Sequence, residues 1–297
     1  MRFYGLLLLT SVLWAGNFVV GGFLAGHTSP LTITDVRWAI TVLCLIPVVY
    51  STDKRILPPR RAVLPLILMA LTGAVFFNVF MYLALKRTSA DNVGLLSALN
   101  PVAIALASFL LLREKLRLQQ VAGMLVSLIG VLIVVSHGNW ERVVHFQLNL
   151  GDLLMLAAVG TWGLYSVAGK FAMRYVSPYM ATLWAGAFGV AMMLPFDLPT
   201  LSFHGLDASF WKAILYTSIA GTVIAMVLWN IGVQRVGGTK SGMFLNFNPI
   251  FTAILSYLWM GETVHAIQVV GTVVVILGVS LFSLPLHFRS SSQQPAS

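Results

Sequence analysis

Apolar residues run along this chain in long unbroken stretches, separated by short clusters of charge, glycine and proline. A helix that crosses a bilayer needs about 20 consecutive apolar residues, and the stretches predict ten such helices. Their spans are 3–25, 31–50, 64–85, 91–112, 118–136, 150–172, 178–196, 209–233, 239–260 and 266–286. A membrane barrel would show segments of about ten residues alternating with period two, and these runs do not alternate. The first run, Phe3 to Ala25, is 23 residues long. The apolar region of a secretory signal is about 7–15 residues, so this run reads as a span. Residues 287–297 are polar and are expected to form a disordered cytoplasmic tail.

Composition turns the helices into a fold class. Of 297 residues, 58% are hydrophobic and 9% charged, against about 25% charged in a soluble domain. Nine acids and 18 bases cannot cover a soluble core of this length. The chain reads as an all-α integral membrane protein whose main partner is the lipid bilayer. That argues against a soluble enzyme or a nucleic-acid binder, and with Cys44 as the single cysteine no internal disulfide can form. The net charge of +9 is a matter of topology. Arg2, Lys54, Arg55, Arg60, Arg61, Arg113, Lys115, Arg117, Lys170, Arg174, Arg235, Lys240 and Arg289 fall on one side of the ten spans. Lys86, Arg87, Arg142 and Lys212 fall on the other, and Arg37 lies within a span. Because basic loops stay in the cytoplasm, both termini are expected there, in the inner or plasma membrane of a cell.

One register relates the two halves of the sequence. Trp14 matches Trp162, Ser29-Pro30 matches Ser177-Pro178, and Gly73 matches Gly221. Arg87 matches Arg235, Asn100-Pro101 matches Asn248-Pro249, and Glu114 matches Glu262. Gly123 and Gly130 match Gly271 and Gly278, and every pair is 148 residues apart. Two five-span repeats are expected, 1–138 and 149–286. An odd number of spans leaves the chain on the far side, so the second copy is predicted to be inverted. Inverted repeats with a substrate site between them are a recurring plan of secondary transporters.

The chain resembles the EamA-type members of the drug/metabolite transporter superfamily over its whole length. The resemblance is carried by Trp14-Ala15-Gly16-Asn17, Arg37-Trp38, Asn100-Pro101 with Arg113-Glu114-Lys115, and Asn248-Pro249 with Gly261-Glu262-Thr263. It implies ten helices around a central cavity and the export or exchange of small metabolites, amino acids being a frequent substrate class.

Candidate substrate-contacting residues follow from the cost of placing polar groups in lipid. Trp14, Asn17, Asn78, Tyr82, Trp162, Tyr165, Trp229 and Asn230 gather in spans one, three, six and eight. Trp14 with Asn17, and Trp162 with Tyr165, are three residues apart and share a helix face. Aromatic walls with a few amides suit an amphipathic metabolite; interfacial anchoring or ordinary packing is the alternative. Arg37 lies inside the second span, where it either holds a substrate carboxylate or snorkels outward past Asp35. Pro101 and Pro249 interrupt spans four and nine, freeing the carbonyls of Ser97 and Leu245. Asn100, Asn246 and Asn248 beside these kinks either repair the backbone or meet substrate.

Two pairs across the halves are candidate gates: Arg87 with Glu262 on the outer side, and Arg235 with Glu114 on the inner side. Ordinary ion pairing in the loops, worth about 0–1 kcal/mol, is the alternative. No Asp or Glu falls in the middle of a span, which favours exchange or facilitated export over antiport through a carboxylate. His137, His145, His204 and His265 have no metal-ligand spacing, so neither metal nor cofactor is expected. The glycine faces of spans five and ten serve packing or a dimer contact, giving a monomer or a weak homodimer. A toxic-compound efflux carrier and a non-transporting receptor or assembly subunit are the rival functions. An intramembrane enzyme would need a nucleophile with a base, paired acids or metal ligands at depth, and no such set is present in the sequence.

Overall fold

A computed structural model describes residues 2–25, 27–88, 93, 96–136, 141, 149–200, 206–260 and 266–283. Those residues form helices joined by short turns, with no strand among them. Helices α1 (Arg2–Ala25) and α2 (Pro30–Asp53) lead into α3 (Arg60–Met69). A wider π-helical stretch, Ala70–Phe76, joins α3 to α4 (Phe77–Leu85), and α5 (Asn100–Leu112) and α6 (Leu118–Ser136) follow. The second half begins with α7 (Leu150–Ala172), α8 (Pro178–Asp197) and α9 (Ala208–Leu215). A second π stretch, Tyr216–Ile224, joins α9 to α10 (Ala225–Val236). The short α11 (Gly238–Met243), α12 (Asn248–Met260) and α13 (Ala266–Ser283) complete the chain. Among the described residues seven helical rods are long and apolar enough to cross a membrane, and Asn100–Leu112 and Leu118–Val134 are shorter apolar helices. Leu43, Leu110, Leu258 and Leu277 stand well out from the surface, as lipid-facing residues do.

The 148-residue offset of the sequence recurs in local structure. Ser29 and Ser177 each cap a helix that starts with proline, their hydroxyls accepting from Thr32 N–H and Met180 N–H. Proline suits that position because its missing N–H is one that the first helical turn leaves unbonded. Shifting the first π stretch by 148 places it on 218–224, within the second.

Helix pairs meet end to end in opposite directions. The start of α2 reaches the end of α8, with Thr32 Oγ1 donating to Asp197 Oδ1 at 2.7 Å. The start of α8 reaches the end of α2, with Ser177 Oγ donating to Asp53 Oδ2 at 2.6 Å. In the same way α6 packs antiparallel on α13. A Cβ on Gly123 would lie 2.8 Å from the Gly278 carbonyl, and one on Gly271 would lie 2.8 Å from the Gly130 carbonyl. Only glycine allows backbones to approach this closely. These faces are therefore occupied within one chain, which is packing and not a dimer contact.

The structure revises the two proline sites. Pro101 falls in the first turn of α5, and Pro249 is the second residue of α12. Neither bends a continuous helix; each opens a new helical piece. Before Pro249 the chain tightens into a 3-10 turn, Phe244–Phe247, in which Asn248 N–H donates to the Leu245 carbonyl. That is the carbonyl which Pro249 cannot serve, so the backbone repairs itself by shortening its register.

Candidate functional site

Five aromatic rings from four helices meet in the interior. Trp14 of α1 meets Trp162 of α7 edge to face, with centroids 5.4 Å apart and planes at 80°. Trp229 of α10 lies 5.5 Å from Trp14 and 5.7 Å from Trp162. Phe77 of α4 lies 4.9 Å from Trp162, and Tyr165 stacks on Trp162 at 5.0 Å. Rings at these separations attract beyond their burial. The glycines of the π stretches let the cluster form. The Tyr165 ring lies against Gly73, where a Cβ would come 2.3 Å from Cδ2, and the Asn17 amide lies against Gly221 in the same manner. Asn17 and Tyr165 are themselves 148 apart, so the two contacts are equivalent under the offset.

Polar groups surround the rings. Trp14 Nε1 donates to the Gly221 carbonyl at 3.0 Å. The Tyr165 hydroxyl donates to Asn230 Oδ1 at 3.3 Å, and Asn230 Nδ2 donates to Thr182 Oγ1 at 3.0 Å. Asn78, 3% exposed, donates to the carbonyls of Gly73 and Ala74 at 3.0 and 2.8 Å. Its Oδ1 is thereby turned to accept from the Arg37 guanidinium at 2.7 Å. Arg37 is 9% exposed, with Tyr82 close to it. It points into the bundle and does not snorkel. The rings and the arginine connect through Gly73, which carries Tyr165 on its Cα side and Asn78 on its carbonyl. The buried indole N–H groups of Trp162 and Trp229, Arg37 Nε and Asn17 Oδ1 have no hydrogen-bond partner. Three donors and one acceptor are thus free in a site otherwise walled by rings.

Other candidates lie apart. Asn246 donates to Ser127 Oγ of α6 at 2.8 Å. Asn100 and Asn248 stand in the first turns of α5 and α12, each with its Oδ1 unbonded. Glu114 pairs with Lys170 of α7, while the Arg235 guanidinium lies 5.9 Å from the Phe3 ring centre. Lys170 thus occupies the place expected for Arg235, because α7 ends beside the end of α5. Arg87 is exposed at the end of its rod, and Glu262 lies outside the described residues. Sequence reasoning overlooked Phe77, Thr182 and Lys170 as contributors. Lys170 alone left a usable signal, a base predicted on the same membrane side as Glu114.

The comparisons with known proteins agree with this geometry. The sequence profile of the EamA-like transporter family matches residues 1–136 and again residues 149–284.

The chain belongs to the EamA-like transporter family.

Its similarity extends to an uncharacterized transporter, YyaM, of Bacillus subtilis (strain 168), 27% identical over 94% of this chain and 92% of the relative. It also extends to an S-adenosylmethionine/S-adenosylhomocysteine transporter of Chlamydia trachomatis, 22% identical over 87% of this chain and 82% of that protein. A solved crystal structure, 21% identical, shares the fold with a TM-score of 0.77 over 94% of this chain and 95% of its own. This EamA-like protein is a multi-pass membrane transporter, a class distinct from enzymes.

Proposed function

We propose that this EamA-like transporter exports or exchanges a small amphipathic metabolite, an amino acid or a similar compound, across the inner or plasma membrane. The observation that carries the reading is the ring cluster of Trp14, Trp162, Trp229, Phe77 and Tyr165, with free donors at Trp162, Trp229 and Arg37. An apolar wall suits a side chain, and unpaired donors suit a carboxylate. Ten helices in two inverted repeats, 1–138 and 149–286, rock about this cluster by alternating access, with both termini cytoplasmic. Support comes from the antiparallel pairs α2–α8 and α6–α13 and from contacts that recur at the 148-residue offset. Glu114 with Lys170 closes one side, and Arg87 with Glu262 closes the other. The Chlamydia relative's substrates carry an amino-acid head on a larger body, so S-adenosylmethionine belongs in the same substrate panel.

Counterflow in proteoliposomes tests the proposal. Vesicles preloaded with one unlabelled compound should accumulate its labelled form, and Trp162→Ala should abolish this. An amino-acid and S-adenosylmethionine panel that gives no counterflow above empty vesicles refutes the substrate class. Arg37→Lys keeps the charge and loses the planar fork. Full activity of that variant on a carboxylated substrate removes Arg37 from the binding role.

A further inference from the structure

The two ends of the α2–α8 pair are built alike and charged differently. At each end a serine that caps one helix donates to an aspartate ending the other: Ser177 Oγ to Asp53 Oδ2 at 2.6 Å, and Ser29 Oγ to Asp197 Oδ1 at 3.5 Å. Beside Asp53 and Ser177 stand Lys54, Arg55 and Arg174. The 148-residue offset aligns these three with Ser202, Phe203 and Gly26. The bases are therefore additions to one end and not part of the repeated scaffold.

At that end the close of α2 and the α7–α8 turn enclose a cavity of about 450 Å³, with Asp53, Arg55, Arg174, Tyr175 and Ser177 in its lining. Binding sites for small ligands measure about 300–1,000 Å³. Helix α2 ends where Lys54 takes a left-handed backbone, φ 57°, and the chain turns so that Arg55 joins the cavity. Asp53 is taken up by the Ser177 hydroxyl. Both arginines are exposed, and neither forms an ion pair with any described residue. The Arg174 guanidinium lies 4.7 Å from the Phe171 ring centre. A guanidinium stacked on a ring keeps its N–H edges for another acceptor.

The neighbouring chain is apolar and exposed. Tyr50 lies one helical turn before Asp53, Leu57 lies two residues after Arg55, and Tyr175 belongs to the lining. Trp184 of α8 donates from Nε1 to the Ile56 carbonyl at 2.7 Å, which fixes the chain after α2 against its partner helix. Tyrosine, tryptophan and basic residues gathered at the end of a span mark the membrane–water interface. The asymmetry of bases across the membrane needs positive charge in this loop, but it does not need two unpaired guanidiniums in one cavity.

We infer that this cavity binds the phosphate of an anionic phospholipid headgroup, with Arg55 and Arg174 as its donors. Guanidinium forks match phosphate oxygens, and basic pockets between spanning helices suit anionic headgroups. The exposed apolar neighbours favour a lipid over a free phosphate, because acyl chains would cover them. Arg55 comes from the first half of the chain and Arg174 from the second, so one headgroup would tie the halves at this end. The inference needs only that this end reach a membrane surface, and it stands apart from the choice of transported substrate.

The test is calorimetric titration of the purified full-length protein in a nonionic detergent. Dioleoyl phosphatidylglycerol should bind, and dioleoyl phosphatidylcholine should not bind at the same concentrations. Arg55→Gln/Arg174→Gln should weaken phosphatidylglycerol roughly 30-fold, the usual contribution of two basic residues at an anionic membrane surface. Arg60→Gln/Arg61→Gln removes two exposed bases of the same end that lie outside the cavity lining. At ordinary ionic strength it should weaken binding by less than about threefold. Equal losses in the two double variants would reveal diffuse attraction and overturn the inference. Equal binding of the two lipids to the wild type would overturn it without any variant. Inorganic phosphate is the third titrant. Binding as tight as that of the lipid, and lost in Arg55→Gln/Arg174→Gln, would assign the cavity to free phosphate and overturn the lipid assignment.

Discussion

Replacing Gly278 by alanine probes the tightest backbone-to-backbone approach among the described glycines. The added Cβ would lie 2.3 Å from Ser127 N, 2.6 Å from Ser127 Cα and 2.7 Å from the Gly123 carbonyl oxygen. All three are backbone atoms, so no rotamer change relieves the contact. Carbon atoms sit comfortably at about 3.5–4.0 Å, so α6 and α13 must part by roughly 1 Å. Overpacking of this kind costs about 1–3 kcal/mol. At about 2–4 °C per kcal/mol for a chain nearing this size, Tm should fall by roughly 2–12 °C. Unfolding in mild detergent, followed by tryptophan fluorescence, provides the measurement. Gly160→Ala is the control, because nothing lies within 4 Å of its Cβ position. There helix propensity alone acts and favours alanine by about 1 kcal/mol. Gly123 approaches Gly278 across the same contact, so the Gly123→Ala/Gly278→Ala pair should cost less than the sum of its parts. Equal Tm values for Gly278→Ala and Gly160→Ala would refute the reasoning.

Three further outcomes are expected. Asn78→Leu leaves the Arg37 guanidinium buried without its acceptor and should destabilise by about 1.5–3 kcal/mol; Arg37→Met in the same chain should recover most of that loss, as chemical unfolding would report. Charge reversal at Glu114 or Lys170 should slow counterflow while changing stability by less than about 1 kcal/mol, and the double swap should restore the rate; an unrescued swap argues against a gate. Ser177→Ala removes both the cap on Met180 N–H and the bond to Asp53, and a loss of about 1 kcal/mol in unfolding free energy should follow.

Much of the fold was legible because bilayer crossing imposes a long apolar run on each helix. The offset of 148 could be read because residues with special backbone or polar duties recur in register. Its traces in three dimensions are the capped prolines at Ser29 and Ser177 and the glycines of the two π stretches. The π turns themselves left no signal, since nothing in ALTGAVF or YTSIAGTVI distinguishes a wider turn from an ordinary one. The expected kinks at Pro101 and Pro249 became helix starts, because a proline marks a break without saying whether one bent helix or two helical pieces result. Trp14, Trp162 and Tyr165 came together as a helix-face argument suggests, whereas Phe77 looked like any lipid-facing ring. Asp35 looked like a companion of Arg37, but residues two apart on a helix face opposite ways, and Arg37 is held by Asn78 instead.

The helices differ in length. At 1.5 Å per residue, the 24-residue α2 extends about 36 Å, and the 20-residue α8 packed antiparallel on it extends about 30 Å. A hydrocarbon layer of about 30 Å is too thin for the first unless it leans by roughly 30°, and matches the second. Side-chain bonds at both ends tie α2 to α8, so a lean of one carries the other with it. Acyl chains around α2 must lengthen, or the pair must tilt. Bilayer thickness is therefore a load on this protein, and its rate should pass through an optimum as lipid chain length is varied.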